Sequence, residues 1–187
     1  RVISLGTPLR DEPPEGLSLG SSGSQFMSIL EQHNYDTCFY RSMLFDNDQT
    51  NHSILLATSD DTVLGGLIYT NAYGPYNIHF LVVSATAVAH DYEQHSGHIH
   101  TALVHAFLDA AKFAVNAVSI NEAPRVLIIN PHTLESTYKQ YIPASTLYLL
   151  SWDAPIPEPI LPEIIDYFSA NMENALVDHT TLSLIHI

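Results

Sequence analysis

Histidine is the first chemistry-bearing residue to catch the eye, because six of the chain's eleven histidines lie between His79 and His105. Imidazole is a metal ligand and a proton carrier near neutral pH. His95, His98 and His100 are spaced so that two or three rings could meet one metal ion, with the carboxylates of Asp91 and Glu93 alongside. No HExxH pair and no cysteine accompanies them. A His-rich metal-binding or metal-dependent protein is therefore one reading. The competing one is that these histidines occupy places that Lys or Arg would otherwise take, in a chain with only six of those.

Other chemistries lack their residues. No Gly-x-Ser-x-Gly elbow occurs, and Gly20-Ser21-Ser22-Gly23-Ser24 reads as linker rather than as a nucleophile turn. Neither a GxGxxG fingerprint nor a phosphate loop is present. The single cysteine, Cys38, excludes an internal disulfide and a cysteine zinc cage, and reads as a small buried hydrophobe. That usage fits a reducing compartment, so a cytoplasmic location is expected. The chain opens on Arg1, which leaves a preceding targeting segment open.

Composition narrows the partners. The net charge of −14 arises from few cations, not from an acidic tract, so nucleic acid is a poor partner. An acidic surface attracts a cationic acceptor such as an amine, or else serves solubility alone. No run of 18 apolar residues exists, so no membrane-spanning helix is expected. With 46% hydrophobic and 14% charged residues, the chain can bury a sizeable core. Its 187 residues suit a single domain.

The elements that must position these groups follow from periodicity and turn chemistry. Residues 1–23 read as an irregular leader or linker, 24–180 as the folded domain, and 182–187 as a non-native tail. A helix begins at Ser24 with Phe26, Ile29, Leu30 and Tyr35 on one face. Residues 54–58 and 63–69 form a hairpin about Ser59-Asp60-Asp61-Thr62. A long strand spans 78–88, and its length predicts a bulge near Ser84 to Thr86. A helix over 100–115 buries Leu103, Ala106, Phe107, Ala110 and Ala114. Strands at 125–129 and 146–150 bracket a short helix from Pro131 to Tyr138, and a last helix starts at Pro162. This is an α/β (α+β) class fold, a mixed central sheet flanked by helices, with one parallel crossover.

Three segments in that order resemble the GNAT (Gcn5-related N-acetyltransferase) family. Val63-Leu64-Gly65-Gly66 is similar to the family's entry into its third strand. Gln94 and Gly97 match the type and spacing of its Gln/Arg-x-x-Gly-x-Gly/Ala loop, with Thr101-Ala102-Leu103 as the helix start. Ile99 stands where the family has Gly or Ala, and its side chain would crowd a ligand there. Asn130, with Tyr138 eight residues on, resembles the family's Asn…Tyr ending, although the Gly-Phe that follows is missing.

The resemblance implies a GNAT-like fold and an N-acyltransferase using acetyl-CoA, or another acyl-CoA, on a small-molecule or peptide amine. It implies cofactor contacts at Val88, Gln94, His95, Ser96, Gly97, His98, Ile99, His100 and Asn130. Backbone amides at the helix start would hold the pyrophosphate without Lys or Arg. Tyr138 would protonate the departing thiolate, and Glu93, His79 or His90 would act as base. An amide of residues 85–88 would polarise the thioester carbonyl. A homodimer and a GNAT-shaped domain that binds acyl-CoA without catalysis both stay open.

Overall fold

A computed structural model describes residues 1–5, 20–45, 51–116, 125–129, 145–148 and 161–170. Its central element is the hairpin of β2 (Asn51–Ser59) and β3 (Thr62–Tyr73), closed by a two-residue turn in which Asp60 takes φ 50°. Asp tolerates this left-handed conformation better than most residues. β4 (His79–Val88) returns antiparallel beside β3, and β5 (Arg125–Ile129) runs parallel to β4. β6 (Ser145–Tyr148) and β1 (Val2–Leu5) form the two edges, giving the order β1-β2-β3-β4-β5-β6.

Helices cover both faces of this sheet. α1 (Gly20–Gln32), α2 (Thr37–Phe45) and α4 (Leu161–Ala170) lie on one face. There Phe26, Leu30, Tyr40, Ile164 and Phe168 pack against Ile54, Leu56, Ile68 and Phe80. α3 (Ser96–Asn116) covers the other face, setting Ile99, Leu103 and Phe107 against Leu55, Leu67, Leu81 and Val88. Alternation along β2, β3 and β4 feeds both cores, because successive side chains point to opposite faces. The expected mixed sheet flanked by helices is thus the fold observed.

Several local expectations are corrected. Val2–Leu5, expected to be irregular, pairs with Leu5↔Ile54 through Val2↔Ala57 as an edge strand. α1 starts at Gly20, within the stretch expected to be linker. α3 starts at Ser96 rather than at residue 100, and Ala110 is exposed instead of buried. α2 was not anticipated at all. It is started by Asp36, whose Oδ1 accepts the amides of Cys38 (2.8 Å) and Phe39 (3.0 Å). Cys38 consequently stands in the first turn and is exposed, not a buried hydrophobe. Asp36→Ala should lower stability by about 1 kcal/mol. A urea midpoint equal to wild type would remove the cap from this role.

The expected bulge falls where its length predicted. Ile68 pairs with Ala85 but Tyr69 with Val83, so Ser84 is the extra residue in β4. Ser84 O accepts the Tyr40 hydroxyl at 2.9 Å in the buried interior. Burial raises the Tyr40 phenol well above its ordinary range, with the nearby Tyr35 adding to the effect, which keeps it a donor.

Candidate functional site

The bulge divides β4 into two halves with different neighbours. Before it, Phe80↔Arg125 through Val83↔Ile128 form a regular parallel ladder. After it, residues 85–88 pair only with β3 among the described residues. Ala89 N–H donates to Leu64 O at 2.9 Å, so Ala89 faces β3. By alternation, Thr86 and Val88 present their N–H and C=O groups to the opposite edge, the side on which β5 lies before the bulge.

That edge is capped by side chains of the turn between α1 and α2. α1 ends in a Schellman arrangement, with Tyr35 N–H on Leu30 O (3.1 Å), Asn34 N–H on Glu31 O (3.0 Å) and Asn34 at φ 60°. This turn aims two side chains at β4, and α2 adds a third. His33 Nε2–H donates to Val88 O at 2.6 Å, the Thr86 amide bonds the Tyr35 hydroxyl, and Tyr40 takes Ser84 O. Burial pushes the Tyr35 phenol up to about 12, against the lowering effect of the Thr86 amide. Neither His33 nor Tyr35 stood out in the sequence as a site residue. The signal was Asn34, a good left-handed helix terminator just where the apolar stripe of α1 stops.

Beyond Val88 the chain does not form a loop. His90–His95 is a 3₁₀ turn that runs directly into α3, and Ser96 N–H donates to Glu93 O. Gln94, His95, Gly97 and His98 are exposed here, while Ser96 and His100 are half-buried. A Cβ placed on Gly97 would meet nothing within 4 Å, so the helix start is open to a ligand. Thr101 Oγ1 donates back to Gly97 O at 2.7 Å. Burial, and then the charge of His33, hold the His100 imidazole below its usual range.

Ile99 corrects the expectation attached to it. It is only 7% exposed and packs in the α3 core, with its Cγ2 3.2 Å from where a Gly65 Cβ would stand. Its side chain points away from the helix mouth and crowds no ligand there. Val88 likewise contributes an apolar side chain to that core and only backbone to the edge.

The expected bases separate. Glu93 and His90 sit together at the mouth, His90 Nε2 lying 3.6 Å from Glu93 Oε1. His79 begins β4, about 16 Å from Ser84 at the rise of a strand. There it bonds Asn71 Oδ1 and stacks on Tyr73 at 4.9 Å. It therefore belongs to the other end of the strand. Asn130 and Tyr138 lie outside the described residues.

No family model and no curated protein matches the chain. Among solved structures it is similar to the ribosomal-protein-alanine N-acetyltransferase from Brucella melitensis biovar Abortus 2308. Identity is 16% and the TM-score 0.47, over 84% of this chain and 97% of that one. In its own topology the chain is a mixed sheet in which β4 and β5 pair in parallel as far as Val83↔Ile128, with α3 following the far end of β4. No described helix is long and apolar enough to cross a membrane.

Proposed function

We propose that this chain is an N-acyltransferase that moves an acyl group, most simply acetyl, from acyl-CoA to an amine. The observation that supports the reading is the edge of β4 beyond Ser84, which pairs with no second strand among the described residues and leads to the exposed start of α3. A thioester laid along that edge meets the Val88 amide, which polarises its carbonyl. The pyrophosphate fits the open space over Gly97, where first-turn amides and the helix dipole favour an anion. Gln94, His95, Ser96, His98 and His100 border this place in the chain.

In the reaction, the acceptor nitrogen attacks the thioester carbon and the C–S bond breaks. Glu93, directly or with His90, takes the proton from nitrogen, and Tyr138 gives one to the CoA thiolate. The −14 net charge favours a cationic amine as acceptor.

Acetyl-CoA at a hundred times its Kd should stabilise the protein by about 2.7 kcal/mol, or roughly 5–10 °C in melting temperature. Gly97→Glu should abolish that shift through bulk and charge. Absence of any shift with the wild-type protein at millimolar acetyl-CoA would sink the reading. Tyr138→Phe should lower turnover by about 100-fold while leaving the thermal shift in place.

A second reading has its own support. The Thr86 amide and the Val88 carbonyl, both on this edge, are already engaged by Tyr35 and His33. A domain that binds acyl-CoA without catalysis needs no further access to that edge. Binding without acylation of any amine offered would favour it.

A further inference from the structure

The histidines that come together are not those adjacent in sequence. His33 closes α1, while His90 and Glu93 stand one 3₁₀ turn apart beyond β4. The His90 backbone N–H donates to Gln32 Oε1 at 3.1 Å, tying this turn to the end of α1. The His33 and His90 rings meet edge to face with centroids 4.9 Å apart. His90 Nε2 is 3.6 Å from Glu93 Oε1. One ligand atom from each of His33, His90 and Glu93 lies within 4.8 Å of the other two.

The tautomer of His33 is set by a backbone carbonyl. Its Nε2–H is committed to Val88 O, which fixes the tautomer and leaves Nδ1 with the lone pair. Metal-bound histidines characteristically give their second N–H to a carbonyl or carboxylate in this way. Ligands about 2.0–2.1 Å from a tetrahedral zinc stand roughly 3.4 Å apart. The partly exposed side chains of His90 and Glu93 can close the remaining distance by rotating. Two imidazoles and one carboxylate form a donor set suited to zinc and its neighbours and unsuited to magnesium.

We propose that His33, His90 and Glu93 bind one zinc-type dication, with the fourth position open to water or a ligand. The site rests on its own geometry and does not depend on acyl transfer; Glu93 and His90 serve as base only with the site empty, since a lone pair given to a metal cannot take a proton. It differs from the set His95, His98 and His100, of which His95 and His98 are exposed and belong to no such group among the described residues.

The test is titration of metal-stripped protein with Zn²⁺ by calorimetry and with Co²⁺ by absorption spectroscopy. One equivalent should bind with micromolar or tighter affinity, millimolar Mg²⁺ should not compete, and Co²⁺ should give the intense visible bands of a tetrahedral centre. His90→Ala and Glu93→Gln should each weaken binding by about tenfold or more, whereas His95→Ala and His98→Ala should leave it unchanged. Both altered positions are exposed, so an unchanged melting temperature in the absence of metal separates ligand loss from misfolding. No binding overturns the proposal. So does binding that survives both substitutions, or that falls equally with His95→Ala and His98→Ala, since either marks adventitious capture by a His-rich surface.

Discussion

Lowering the pH from about 6.5 to about 4 should remove on the order of 2–3 kcal/mol of folding stability through His52 alone. His52 is buried between β2 and β3, with Nδ1 2.6 Å from Thr70 Oγ1, and burial lowers its pKa to about 4. In the unfolded chain the ring titrates near 6.5. Above that pH both states hold a neutral ring, and His52 contributes nothing to the slope. Between 6.5 and 4 the unfolded state binds a proton that the native state refuses, so stability falls as the solution acidifies. Below about 4 both states are protonated and the loss is complete. His100, also lowered by burial, acts in the same direction. Urea unfolding followed across this range should show the fall, and His52→Gln should flatten it by about one proton's worth of slope. An unchanged slope in that variant would show that the ring is not the titrating group.

His52 also marks a boundary of what the sequence makes legible. Nothing in its immediate neighbours says that it is buried, because its partner Thr70 comes from the facing strand. The features that could be read were local ones. The β2–β3 hairpin follows from a polar two-residue turn between apolar runs, and the Ser84 bulge from the length of the β-rich run 78–88. The α3 core was partly legible. Residues 99, 103 and 107 repeat every four positions, and that spacing places Ile99 in the core stripe. Reading Ile99 instead as a position in a ligand loop gave it the wrong direction.

What could not be read depends on contacts distant in sequence. β1 is four residues that become a strand only by pairing with β2, more than forty residues away. The 3₁₀ turn of His90–His95 contains no Gly or Pro, and is held by Tyr92 N–H on Ala89 O and by Gln32 reaching His90. The candidate site suffers most from this. Gly97 and Glu93 could be found from their spacing, but His33 and Tyr35 reach the same edge from 55 and 51 residues upstream. Only the fold brings a helix terminus to the end of β4.

Replacing either strand glycine by alanine should then damage both the fold and the site, and by different routes. A Cβ at Gly66 would stand 2.6–2.8 Å from three ring atoms of Phe26, which is fully buried under α1. A Cβ at Gly65 would stand 2.7 Å from Ala87 O and 3.1 Å from Val88 Cα, which are backbone. Overpacking of this kind costs about 1–3 kcal/mol, and the figure is larger where the neighbour cannot rotate away. Gly65→Ala should therefore cost more than Gly66→Ala. Phe26→Leu should rescue much of the Gly66→Ala loss, since it removes the ring that clashes, and should do nothing for Gly65→Ala. The double-mutant comparison by urea unfolding reads this directly. Because Gly65 pairs with Val88 and touches Ile99, its variant pushes the end of β4 away from the start of α3. Gly65→Ala protein that still folds should accordingly lose the acetyl-CoA shift, whereas Gly66→Ala rescued by Phe26→Leu should keep it. Equal retention of the shift in both would separate the end of β4 from ligand binding.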